Sequence, residues 1–172
     1  MIISTNAGLW AYNVGDTIEF TSTKPYRIKV TGRIKHFISA FGEHVIAKEV
    51  EQAIKEALEN SKIQVNEFTV APQISPESGL PYHEWFVEFE NKPENTLDFA
   101  SKIDKSLQSQ NSYYLDLIDG KILQNLKITI VSKGGFNQYM RSKGKLGGQN
   151  KIPHLSNDRS IANTLFELNL LK

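Results

Sequence analysis

The run Tyr82-His83-Glu84-Trp85-Phe86-Val87-Glu88-Phe89-Glu90 decides how the rest of the chain is read. Its alternation puts Trp85, Val87 and Phe89 on one face, the two-residue period of a strand. Residues 63–70 read as a partner strand, and Pro72, Pro76, Gly79 and Pro81 mark a loop between hairpin-like neighbours. Ahead of this pair, Gly42 and Glu43 lead into a helical pattern at Ile46, Val50, Ala53, Ile54, Ala57 and Leu58. After it, a second helix starts near residues 94–96, carries Leu97, Ala100, Ile103 and Leu107 inward, and gives way around Gln110. Residues 126–131 supply another strand, and glycines frame a short helix beyond it. Asn157 or Asp158 can cap a last helix with Ile161, Leu165 and Leu168 on one side. Helix, two strands, helix, strand, helix is the order of an α+β domain: a mixed, mostly antiparallel sheet packed with helices.

Toward the N-terminus the pattern is β only. Residues 9–12, 17–21 and 26–30 are short and rich in aromatic and β-branched side chains, with turns at Gly15-Asp16 and Lys24-Pro25. A chain of 172 residues can bury one core, with an appendage from a neighbouring domain. Its 40% hydrophobic and 23% charged residues are ordinary for a folded soluble protein. A formal charge of +1 offers no global field toward nucleic acid or an anionic membrane. The chain has no cysteine, which excludes disulfides, thiolate catalysis and cysteine-built zinc sites. No secretory signal is visible, and no apolar run approaches the ~20 residues that span a bilayer, so the expected location is the cytoplasm. Met1 leads almost directly into a strand-like segment, which raises the expectation that the chain begins inside a longer protein.

Several residues could carry chemistry. Asp16 follows Gly15 at a strand end, where a carboxylate can accept from both hydroxyls of a ribose, and Arg33 follows Gly32 at another. Taken singly, Asp16 reads as a turn aspartate and Arg33 as a solvated or ion-paired arginine. The pair in this order favours the ligand reading. Lys35 stands where the β-rich front meets the remainder, the place for a hinge, although a plain exposed lysine fits as well. Between Lys127 and Arg159 seven positive charges face one negative, Asp158, and five glycines allow close backbone approach to an anion. Lys151 in this stretch is a point charge suited to phosphate. His36, His44, His83 and His154 show no metal-ligand spacing, so no protein-bound metal is assigned. Trp10, Trp85, Tyr113 and Tyr114 read as core or interface aromatics, and nucleic-acid binding is not expected.

At these residues the chain resembles the acyl-acid amido synthetases of the auxin-responsive (Gretchen Hagen) family, a branch of the adenylate-forming superfamily. Residues 8–16, with Tyr12-Asn13-Val14-Gly15-Asp16, look like the family's aromatic-x-x-Gly-Asp segment, and Gly32-Arg33-Ile34-Lys35 looks like its Gly-Arg hinge motif. Gln149-Asn150-Lys151-Ile152-Pro153-His154 is similar to its late Gln-x-Lys-x-Pro-Arg segment. The resemblance implies that Asp16 binds the AMP ribose, Arg33 supports it, Lys35 marks the hinge and Lys151 is the catalytic lysine of adenylation. It also implies ATP, AMP and Mg2+ in the full-length enzyme, with none bound by this part alone, and a small carboxylic acid and an amine as substrates. His154 stands where the family has arginine, so a titratable ring replaces a permanently charged fork.

The family's upstream phosphate loop and acyl pocket have no counterpart in these residues. The resemblance therefore divides the chain into residues 1–34, trailing strands of a large N-terminal domain, and residues 35–172, the C-terminal lid domain, inactive alone. Two rivals stay open at this level. One is an independent α+β interaction module whose basic Gly-rich loop binds an anionic partner; the other is a small phospholigand-binding protein.

Overall fold

The computed structural model describes residues 1–33, 37–147 and 150–172. In chain order its elements are β1 (Ile2–Ile3), β2 (Tyr12–Asn13), β3 (Asp16–Thr23), β4 (Tyr26–Arg33), β5 (Phe37–Ile38), β6 (Val45–Ile46), α1 (Ala47–Leu58), β7 (Gln64–Gln73), β8 (Tyr82–Asn91), α2 (Thr96–Gln110), α3 (Ser112–Asp119), β9 (Lys127–Val131), α4 (Gly135–Ser142) and α5 (Ser160–Glu167). The strand that opens the sequence reading, β8, is the middle of a three-stranded sheet, antiparallel to β7 and parallel to β9. Two-stranded antiparallel pairs β1–β2, β3–β4 and β5–β6 precede it, which makes the fold α+β with mixed and antiparallel sheets.

Both faces of β8 are covered. Trp85, Val87 and Phe89 pack with Val50, Ala53 and Ile54 of α1 and Phe99, Ile103 and Leu107 of α2. Phe86, on the opposite face, joins Val131, Phe136, Met140, Ile161 and Leu165 under α4 and α5. The expected one-sided alternation is therefore only half of the strand's role. Glu88 is buried on that second face as well, because its carboxylate accepts from Gly134 N at 2.8 Å and Phe136 N at 3.2 Å, the open amides at the start of α4.

Chain segments outside the strands pair with each edge of this sheet. Leu155 bridges Val70 on β7, and Leu171 bridges Val131 on β9. Backbone groups that an edge strand would otherwise leave open are thereby paired. Pro72, expected in the loop, lies inside β7, an edge strand that tolerates a missing N–H.

Other expectations change in detail. Leu97 is 80% exposed rather than inward. Phe99 joins the buried face of α2 and rotates its centre away from the first turn, so Leu97 falls on the flank. Leu168 is partly exposed because α5 ends at Glu167. Residues 9–11 are not strand, since Gly8 and Ala11 both have positive φ and turn the chain. Trp10 is exposed, whereas Trp85 and Tyr114 belong to the core. A helix absent from the sequence reading, α3, follows α2 after one residue. Asn111 ends the first and caps the second, its Oδ1 accepting from Tyr114 N at 2.9 Å. The N-cap of α5 is Arg159 rather than Asn157 or Asp158, although Asp158, one residue earlier, accepts from Ser160 N at 2.8 Å.

Candidate functional site

β3 and β4 form a hairpin whose register sets Asp16 directly opposite Arg33. The two strand-end residues singled out in the sequence are therefore cross-strand neighbours at the hairpin's open end. Lys35 lies outside the described residues. Asp16 and Lys151, 135 positions apart in sequence, line one cleft of about 890 Å3, together with Val30, Glu51, Glu67 and His154. A second cavity of about 320 Å3 shares Asn66, Glu67, Lys151 and Ile152 with it and adds Asn137 and Asn150.

The segment that carries Lys151 is fastened on one side. Ile152 is buried in the core beneath α4 and α5, and Leu155 in the core beneath α1 and α2. Thr69 Oγ1 donates to Pro153 O at 2.7 Å, Val70 N to His154 O at 3.0 Å, and Ser156 N back to Val70 O at 2.9 Å. Residues 153–156 are thus tied to β7 around the Leu155–Val70 bridge, while Lys151 stands exposed just before them. Among the described residues Lys151 makes no hydrogen bond or ion pair.

His154 ties three parts of the site together. Its Nδ1 lies 2.9 Å from Glu51 Oε1 on α1, its Nε2 3.2 Å from Glu67 Oε1 on β7, and its ring stacks on Phe68 at 4.3 Å. Two carboxylates facing two ring nitrogens require both nitrogens to donate, which only the imidazolium does. The hydrogen bond to Glu67 accordingly raises the His154 pKa above the ordinary 6.5, against the opposing pull of burial and with further help from Glu51. The two glutamates were not visible as site residues in the sequence. Glu67 sits at a register irregularity in β7, the kind of bulge that re-aims a side chain, and only strand pairing reveals it.

Part of the basic stretch is committed to structure. Lys133 pairs with Glu90 at 2.7 Å, and Arg159 with Glu84 at 2.7 Å while also donating to Pro72 O. Lys127 stands over the Tyr82 ring at 4.4 Å. Lys151 is thus set apart from these cations by the cleft it lines. Among the described residues no group of three or more His, Cys, Asp or Glu side chains could hold a metal ion. No helix among them is long and apolar enough to cross a membrane.

The profile of the GH3 family C-terminal domain matches residues 48–160, and that of the GH3 family central domain matches residues 1–33. The chain belongs to the GH3 family. Its fold agrees with solved structures of that family. One is a GH3.15 acyl acid amido synthetase, with TM-score 0.74 and 21% identity over 99% of this chain and 33% of that one. Another is AtGH3.15 acyl acid amido synthetase in complex with 2,4-DB, with TM-score 0.73 and 19% identity over 99% of this chain and 32% of that one. This GH3 chain spans about a third of the length of the structures it matches. No curated protein matches it.

Proposed function

We propose that this GH3 chain is the C-terminal lid part of an ATP-dependent acyl acid amido synthetase, residues 1–34 ending the large domain and residues 35–172 forming the lid. The observation that carries the reading is the common cleft of Asp16 and Lys151. Asp16 accepts from the ribose hydroxyls, Arg33 opposite it supports that contact, and Lys35 is the hinge. Exposed Phe20, Tyr26, Ile28 and Val30 on the β3–β4 hairpin support a larger body that covers them.

In the first half-reaction a carboxylate oxygen of the acid attacks the α-phosphorus of ATP, the bond to the β-phosphate oxygen breaks, and pyrophosphate leaves. Negative charge gathers on the α-phosphoryl oxygens as this happens, and the Lys151 ammonium stabilises it. In the second, an amine attacks the acyl carbon and AMP leaves. Rotation of the lid withdraws Lys151 so that the amine can enter. Magnesium is taken to enter with ATP as part of the substrate, and no step is assigned to it.

Two measurements test the reading. Carboxylate-dependent pyrophosphate release from ATP should be absent with the isolated 172-residue chain; appreciable turnover refutes the lid assignment. In the full-length enzyme, Lys151→Ala should slow adenylation by about 10²–10³ and leave transfer from a supplied acyl-adenylate nearly intact. Equal losses in both half-reactions would remove Lys151 from its role.

A further inference from the structure

A lysine that lines a cleft beside two carboxylates has partners within its own site. Glu67 lines both cavities that Lys151 lines, and Glu51 lines the larger. Lys151 nonetheless pairs with neither. What occupies the carboxylates is His154, one ring nitrogen to each. The ring cannot drift from this bridge, because it is stacked on Phe68 and its own backbone carbonyl is bonded to Val70.

We propose that His154 is a positioning residue for Lys151: its imidazolium bridge holds Glu51 and Glu67 together and keeps either carboxylate from capturing the lysine ammonium. The charged groups around the ring are Glu51 from α1, Glu67 from β7, Asp16 from β3 across the cleft, and Lys151 from its own segment. Loss of one ring proton leaves one nitrogen without a hydrogen to donate, and the carboxylate facing it is released. That carboxylate is then open to Lys151, which lines the same cleft, and the lysine charge is no longer left to meet an anion. His154 is thereby a switch on the lysine. The consequence for adenylate rests on the function proposed above; the consequence for the ion pairing of Lys151 does not.

The test follows the side-chain 13Cε and 15Nζ signals of Lys151 by NMR across pH in the 172-residue chain. The wild type should show a step in the Lys151 signals that coincides with titration of the His154 ring. His154→Phe keeps the stack on Phe68 and removes the bridge, and should hold Lys151 in its paired state at every pH at which the two glutamates are ionised. His154→Arg stays charged and can still reach both carboxylates, and should abolish the step with Lys151 left unpaired. Glu51→Gln/Glu67→Gln should abolish the step while retaining the histidine, which keeps the test decisive if His154→Phe does not fold. Lys151 signals indifferent to the His154 titration, or a step that survives the double glutamine variant, overturn the proposal. A calorimetric titration of the full-length enzyme with AMP separates the two layers. Affinity should fall about threefold to tenfold as His154 deprotonates, and stay level in His154→Arg. AMP that fails to bind at any pH counts against the adenylate reading, whereas the Lys151 step decides the positioning role by itself.

Discussion

Tyr114 and His83, stacked at 5.1 Å in the core, show how single polar side chains are accommodated here. The Tyr114 phenol donates to Asp104 Oδ1 at 2.7 Å, and the same oxygen accepts from Leu126 N at 3.0 Å. Burial, and next the Asp104 charge, push the phenol pKa well above 10, so it stays a donor throughout the working range. Tyr114→Phe removes one hydrogen bond to a buried carboxylate and should lower unfolding stability by roughly 1.5–3 kcal/mol, read from urea midpoints at unchanged slope. His83 and Glu43 are both fully buried and joined at 2.8 Å. Burial alone would raise the Glu43 pKa; the His83 hydrogen bond and charge, with the Phe41 amide, outweigh it and leave the net shift downward. At this scale the sequence was a partial guide. Asp16, Lys151 and His154 could be singled out by residue type and motif, but Glu51 and Glu67 could not, because nothing in a glutamate's sequence position shows which ring nitrogen it will face.

Among the elements, α4 depends most on a contact from far along the chain. Its first amides are met by Glu88, which is buried in the central strand. Glu88→Ala would leave those amides without a partner and should cost about 2–4 kcal/mol, with amide exchange in α4 accelerating before that in α1; uniform acceleration would mean that the carboxylate is not a local cap. The close approach at Gly135, where an added Cβ would meet Val131 Cγ1 at 2.5 Å, explains why this start admits no side chain. On α2, the correction at Leu97 becomes measurable. Leu97→Ala should change stability by no more than about 0.5 kcal/mol, whereas Ile103→Ala should cost about 2–5 kcal/mol. Helical spacing identified the right turns of α2 but not its buried arc, because that arc is set by where the sheet lies. The helix at residues 112–119 was missed because Asn111 ends one helix and caps the next with no turn residues between.

For the whole molecule, two ionic contacts predict opposite limbs of the pH–stability curve. The lowered Glu43 pKa means that its stabilisation is present above the unfolded value of 4.5 and is lost as pH falls through the folded one. The raised His154 pKa means that its stabilisation is complete below 6.5 and is lost as pH rises through the folded value. Thermal melts should therefore show a maximum between these values, with His154→Ala flattening the alkaline limb and Glu43→Gln the acid one. A wild-type curve level from about pH 6 to 9 would exclude the alkaline contribution. The sequence by itself determined the α+β class, the main strands and helices, and the family to which the chain is similar, since these follow from local period, turn chemistry and motif spacing. Only the tertiary structure decided that β8 is covered on both faces, that Asp16 faces Arg33 and shares a cleft with Lys151, and that His154 is bound by two glutamates. The reason is physical: periodicity is a property of neighbours along the chain, whereas burial, register and charge pairing depend on residues that meet only after the sheet and its helices have packed.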